Sequence, residues 1–280
     1  MRPTVGVVTI VAGRPLALAN LLEGLARQHQ PADRIAVVRM DDTPIDAPES
    51  RNRPRFDVVD LGVADGAPLP LAAARNAGAR ACGDVDVLVF LDVDCIPGAD
   101  LVETFSRVAS AEDALVTGVL VYLPPDVPGE RPWTEPGLAA AGQPHPARPV
   151  PPAGTTRLDD DHHLAWTTSL AIARRHFESL GGFDERFVGY GAEDTDFAHR
   201  AGALGLRVAW TGNGTAYHQH HGRKGLPLEH VDDIVRNANL FHELHGWFPM
   251  DGWLQQFADL GLIEFDPGRG LLARLEPART

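Results

Sequence analysis

The chain has 280 residues, enough for one large domain or two small ones with a proper core. Hydrophobic residues make up 44% and charged residues 22%, the composition of a folded globular protein rather than a disordered one. With 25 Lys and Arg against 38 Asp and Glu, the formal charge is −13, which argues against a nucleic-acid surface because phosphates need clustered cations. Lys224 is the single lysine, so the positive charge is almost all arginine.

Two cysteines, Cys82 and Cys95, make no disulfide framework, and the simplest expectation is a reducing cytoplasm. The opening Met1–Thr4 leads into a β-branched run rather than a signal-peptide core. No apolar run approaches the roughly 20 residues that span a bilayer, so no transmembrane segment is expected.

In chain order, strand and helix signals alternate. Val5–Val11 reads as a strand; Gly13 breaks it, and Pro15 suits a first helical turn. Leu18, Leu21, Leu22 and Leu25 follow at helical spacing. Ile35–Val38 and Phe56–Leu61 read as strands, Leu71–Ala81 as an Ala-rich helix, and Val87–Leu91 as a fully apolar strand. Such strands separated by helices imply an α/β fold with a mainly parallel sheet covered on both faces. Ligands of such sheets lie beyond the carboxyl ends of the strands. Asp41, Asp42, Asp92 and Asp94 all fall at such ends.

From Pro124 to Pro152 the chain carries ten prolines and few apolar residues, a density that predicts a long mobile surface loop without regular helix or central strand. Regular signals resume with a strand-like Leu164–Ala173, a short helix at Arg174–Leu180, a helix over Asp194–Leu204, a strand at Arg207–Trp210 and a polar helix over about 229–245.

Three clusters carry chemistry. Asp92-Val93-Asp94 ends a buried strand. Its carboxylates suit a hard divalent cation that keeps substrate phosphates in its shell, although a solvated strand-end turn has the same composition. Tyr217-His218-Gln219-His220-His221 offers imidazole ligands for a cation such as Mn²⁺, against the plainer reading of a polar loop. Gly189-Tyr190-Gly191-Ala192-Glu193-Asp194-Thr195-Asp196 joins glycines that permit close backbone approach to three acids opening a helix. Helix capping accounts for those acids, and so does a general base beside an acceptor. Arg75-Asn76 on the Ala-rich helix suits pairing with a phosphate or with a strand-end acid.

Taken in order, these segments resemble a GT-A-fold glycosyltransferase of the inverting family 2. The matching stretches are Val5–Val11, Leu71–Gly78, Val89–Pro97, Ser169–Ala173, Gly181–Phe187 and Glu193-Asp194 with Asp196. The second half also resembles the carboxyl-terminal part of β-1,4-galactosyltransferases, with a Gly-rich turn, an acidic pair and a downstream histidine in the same order. The resemblance implies a nucleotide-sugar-binding half over 1–123, a Pro-rich loop over 124–160, an acceptor and catalytic half over 161–250 and a C-terminal extension over 251–280. It implies Asp94 as a ligand of Mn²⁺ or Mg²⁺, with His218 or His221 as a further ligand. Asp92, Arg75 and either Asp41 or Asp42 would contact the donor. Asp194 would be the base, with Glu193, Asp196 and Gly191 beside the acceptor.

The chain departs from the family in following its first strand with Val11-Ala12-Gly13-Arg14. It also has no clear Gln-x-x-Arg-Trp motif after Asp196, which disfavours a polymerising synthase. The expected partners are a nucleotide-sugar donor, UDP-linked by preference, and a hydroxyl-bearing acceptor receiving a single sugar. Two other classes fit parts of the pattern. One is a nucleotide-sugar-binding module without turnover. The other is a nucleotidyltransferase, for which Ala12-Gly13-Arg14 is a thin phosphate loop.

Overall fold

The computed structural model describes residues 2–45, 55–128, 132–222 and 225–275. The first half contains β1 (Val5–Val11), α1 (Pro15–Ala26), β2 (Arg34–Arg39), β3 (Arg55–Asp60), α2 (Leu71–Ala81), β4 (Val87–Leu91), β5 (Cys95–Pro97), α3 (Leu101–Ala111), β6 (Ala114–Thr117) and β7 (Leu120–Tyr122). The second half contains α4 (Glu135–Ala141), β8 (Gln143–Pro144), β9 (Thr156–Asp159), β10 (Ser169–Ala173), α5 (Arg174–Leu180), α6 (Glu193–Ala203), β11 (Arg207–Thr211), β12 (Ala216–His218), α7 (Val231–His245), α8 (Asp251–Asp259), β13 (Ile263–Asp266) and β14 (Leu271–Arg274).

Eight strands form one sheet in the order β3-β2-β1-β4-β10-β6-β11-β9. The β1, β2, β3 and β4 pairings are parallel, as their continuous apolar runs predict, and β10 enters antiparallel to β4 with Ala171 opposite Val89. Every residue of β1 and β4 is buried, because helices cover both faces. One face packs the leucines of α1 and the apolar side of α3. The other packs α2, α5 and α6 around Phe90, Phe177, Phe183 and Phe197. Helix α2 lies so close to β1 that a Cβ on Gly78 would sit 2.3 Å from Val8.

A smaller sheet, β5-β12-β7-β8, is laid beside the first. Its β12 runs antiparallel to β5 with His218 opposite Cys95, and parallel to β7 with His218 opposite Tyr122. This pairing carries the histidine cluster to the residues just after Asp94. Helices α7 and α8 and the β13–β14 hairpin build a separate small core around Ile234, Leu254 and Phe257.

The Pro-rich segment departs from its expectation. Residues 129–131 lie outside the described residues, but Glu135–Ala141 is helical, with Thr134 as N-cap and Pro136 in the first turn, where no amide donor is needed. Trp133 and Leu138 are buried against Ile96, Val121 and Tyr217, and β8 pairs with β7. Two apolar anchors suffice here because prolines occupy turn and first-turn positions. The strand-like signal over Leu164–Ala173 is realised only from Ser169. Helix α3 and strands β6 and β7 were not among the elements read from the sequence.

Candidate active site

The chain turns immediately after β4, with the Cys95 amide donating to the Asp92 carbonyl at 2.9 Å. The two carboxylates of Asp92-Val93-Asp94 therefore take different partners. Asp94 lies against the end of β12. Its Oδ1 is 3.5 Å from His218 Nε2, and its Oδ2 is 3.7 Å from His221 Nε2. One ligand atom from each of the three residues falls within 4.8 Å of the others. Asp94 Oδ1 is buried with no hydrogen-bond partner. These separations are too long for good direct hydrogen bonds and leave an unpartnered carboxylate oxygen among the three groups, a set that could hold one cation. One carboxylate with two imidazoles suits Mn²⁺ better than Mg²⁺, which favours oxygen. Of the remaining histidines in the cluster, His220 turns aside and accepts from the Gly222 amide through Nδ1 at 3.1 Å. The Gln219 amide donates to the Asp94 carbonyl at 2.7 Å, and its side chain accepts from Asn20 at 2.8 Å, so the strand end is held from both sides.

Asp92 faces the opposite way. Arg75, buried on α2, donates from Nη2 to Asp92 Oδ1 at 3.2 Å and from Nη1 to Glu193 Oε1 at 2.9 Å. Of the two roles open to Arg75, the structure shows pairing with a strand-end acid. Burial alone would lower its pKa, but Glu193, Asp92 and Asp194 raise it. The guanidinium thus ties β4 to the first turn of α6. Enclosure raises the Asp92 pKa, with Arg75 opposing and Asp94 adding to the rise. Asp194, next along α6, is pushed up to about 7 by desolvation and by Glu193, against the pull of Arg75. Glu193 is 5% exposed, and its Oε2 has no hydrogen-bond partner.

The turn leading into α6 is shaped by helix α7. Gly189, with φ of +75°, leaves no space for a Cβ, which would lie 2.3 Å from Asp233. Asn237 Nδ2 donates to the carbonyls of Val188 at 3.1 Å and Gly191 at 2.9 Å. Asp196 does not take the acceptor-side place expected of it. It is fully buried outside the cleft lining, accepting from Arg200 Nε at 2.8 Å and lying 2.8 Å from His245 Nε2. Two positions after Asp194 on a helix, it points away from the face that Asp194 presents.

These groups line one cleft of about 1010 Å³ that includes Asp92, Asp94, Gly191, Glu193, Asp194, His218 and His221. Asp41 and Asp42 are exposed at the rim and outside its lining. Asp41 Oδ1 instead accepts from the Thr43 amide at 2.9 Å, closing a turn beside Gly13.

Sequence reasoning missed three parts of the wall. Arg14 forms an ion pair with Asp94, and the Gly13-Arg14 step after β1 was its single trace. Tyr122, His145 and Trp166 stand edge-to-face beside His218, with centroids 4.9, 5.3 and 5.2 Å apart in succession; of the three, His145 comes from the Pro-rich segment read as a mobile loop, Tyr122 from β7 just before it and Trp166 from the stretch read as strand-like. Tyr190, Trp247 and Trp253 border the far end, the two tryptophans beyond the last matching stretch, which ends at Asp196.

A profile of the family described as the N-terminal domain of galactosyltransferase matches residues 162–222, the stretch holding Glu193, Asp194, His218 and His221. Validoxylamine A glucosyltransferase of Streptomyces hygroscopicus subsp. jinggangensis (strain 5008) is 26% identical over 277 residues, covering 87% of this chain and 61% of that protein. The enzyme of the same name from subsp. limoneus is also 26% identical, with 57% of its length covered. The chain therefore spans about three fifths of the relatives it matches.

Among solved structures, GalNAc-T7 with UDP, GalNAc and Mn²⁺ superposes with a TM-score of 0.55 at 14% identity, over 92% of this chain and 57% of that one. S. aureus TarS 1-349 gives 0.55 at 16% identity, over 86% and 64%. The fold is that of the GT-A glycosyltransferases, which bears out that part of the resemblance read from the sequence. No described helix is long and apolar enough to cross a membrane.

Proposed function

We propose that the chain transfers one sugar, with inversion, from a UDP-linked donor to a hydroxyl of an acceptor. The observation that carries this is the pairing, in one cleft, of a cation-type triad with a carboxylate whose pKa is near neutrality. Asp94, His218 and His221 would hold Mn²⁺, and a bound divalent cation would supply charge stabilisation to the departing diphosphate. Arg14, paired with Asp94, brings a further cation to that end.

Asp194 is the proposed base. A carboxyl titrating near 7 is partly ionised at neutral pH, yet basic enough to take the proton of an attacking hydroxyl. Arg75 holds Asp92 and Glu193 on either side of the path between the two ends. The base lies in the first turn of α6, whereas Asp94 immediately precedes β5 and His218 and His221 lie at and just after the end of β12, so the two proposed functions fall to separate groups lining one cleft. Donor contacts by Asp92 and Arg75, and acceptor contacts by Glu193 and Gly191, belong to the same reading. The relatives named as glucosyltransferases and the UDP and Mn²⁺ of the GalNAc-T7 structure support it. Both cysteines are buried thiols, in keeping with a reducing compartment.

The test is calorimetric titration of UDP with and without Mn²⁺, followed by NMR of the product formed from UDP-sugars. The reading expects cation-dependent UDP binding and a product of inverted anomeric configuration. Tight UDP binding that EDTA does not weaken, or a retained configuration, would overturn it. Binding without turnover on any acceptor would favour the binding-module alternative.

A further inference from the structure

Beyond Asp194 the cleft continues from the proposed acceptor contact Glu193 toward helices α7 and α8 of the C-terminal unit, whose aromatic residues the reading above gives no role. Tyr190 lies near-parallel to His230, with centroids 4.7 Å apart and planes at 15°, and near-parallel to Trp253 at 6.1 Å and 24°. Both Tyr190 and Trp253 are only half-buried, so this row of rings borders open space. Aromatic rings of this kind accept the apolar C–H face of a saturated ring, while polar groups around them take its hydroxyls.

Two further observations define the ligand. Glu193 is 5% exposed and lines the cleft, and its Oε2 has no hydrogen-bond partner. A buried carboxylate oxygen is costly without a donor, so a ligand O–H or N–H fits there. The second is charge. Among the described lining residues the arginines are Arg14 and Arg75, and both already face carboxylates, of Asp94 for the first and of Asp92 and Glu193 for the second. Asp251 adds negative charge at the far end, Asp194 does so when ionised, and Asp233 is paired with Arg236 at 2.7 Å. An anionic ligand here would meet like charge, which is how a site rejects one partner while accepting its neutral analogue.

Resting on the transferase reading, we infer that this end is an acceptor subsite for a polyhydroxylated ring bearing no anionic group, seated against Trp253 and Tyr190 with a hydroxyl or ammonium on Glu193 Oε2. Trp253, from the C-terminal unit, is then a specificity-determining residue for the acceptor.

Methyl glucoside, glucosamine and glucose 6-phosphate are suitable probes, titrated onto the full chain with UDP and Mn²⁺ present and followed by saturation-transfer NMR. The first two should bind, and glucose 6-phosphate should bind at least about tenfold more weakly. Trp253→Ala should weaken sugar binding about tenfold while UDP affinity holds, and Trp253→Phe should restore most of the loss. Equal or tighter binding of glucose 6-phosphate overturns the inference. So does a sugar affinity indifferent to Trp253→Ala, or binding of none of the three probes. Failure of UDP to bind with Mn²⁺ would instead remove the transferase reading; UDP binding with sugars indifferent to Trp253 removes this inference alone.

Discussion

The two ends of the cleft are built by different means. At the cation end, backbone pairing does the positioning: β12 lies against β5 and β7, so His218 is placed by strand register opposite Cys95 and Tyr122. At the acceptor end no strand delivers Glu193 and Asp194. Their turn is held by single side chains from α7, with Asn237 donating to the carbonyls around Gly189 and Asp233 filling the space under it. A strand register survives the loss of one side chain, because many backbone hydrogen bonds share the load. A turn held mainly by a few side chains, Asn237, Asp233 and Arg236 among them, is more exposed to the loss of any one. Substitutions at the cation end should therefore remove a ligand and leave the fold, whereas those behind the acceptor end should loosen structure first.

The largest effect is expected from Asp94→Ala. The Asp94 carbonyl would still accept from Gln219, so the strand end stays in place while the carboxylate of the triad is gone. Mn²⁺-dependent UDP binding should fall below detection in calorimetry, with an unchanged melting temperature in the absence of ligand. Unfolding of this variant would break the contrast drawn above.

Asp196→Ala, behind the acceptor end, should cost about 3–5 kcal/mol in urea unfolding, because Arg200 and His245 lose a shared buried partner. Asn237→Ala should cost less, about 1–3 kcal/mol, and should raise proteolysis near the 188–192 turn. A stability change below about 0.5 kcal/mol would show that α7 does not hold this turn. The smallest effect belongs to Asp42→Ala. Exposed at the rim and outside the cleft lining, it should shift stability by less than about 0.5 kcal/mol and leave UDP affinity unchanged. A clear loss of UDP affinity would restore the donor contact expected of it.

The same contrast explains what the sequence could disclose. Strands β1 and β4 and helices α2 and α5 match their predicted limits, because continuous apolar runs and Ala-rich spacing are local signals. The triad was legible for a related reason. Strand-end acids and clustered histidines are visible types, although only the β5–β12 pairing shows that His218 and His221, rather than His220, converge on Asp94. Asp196 misled because proximity in sequence to Asp194 says nothing about the helix face on which each lies. The aromatic walls were not legible. Tyr122, His145 and Trp166 come from three segments, and their contacts exist only after the Pro-rich stretch folds over β7. Helix α4 was hidden by Pro136, which breaks a helix in mid-run but suits its first turn.

Helix α6 has Ala192 at its N-cap and no side-chain capping bond, so the proposed reading rests on Asp194 acting as a base rather than as a cap. Asp194→Asn preserves size and turn-forming ability, so helix α6 and UDP affinity should be unaffected while the turnover number falls by about 10²–10⁴-fold. In the wild type the base acts when ionised, so the rate should fall as pH drops below about 7, the value to which burial and Glu193 raise this group, and should level off above it. The measurement is the pH–rate profile of UDP-sugar transfer in the two proteins, at saturating Mn²⁺ and with UDP affinity measured alongside. An acidic limb near 7 in the wild type, with transfer in the variant reduced and that limb absent, is the result expected. A variant that transfers sugar at the wild-type rate, or a wild-type profile flat from pH 5 to 8, would contradict the account.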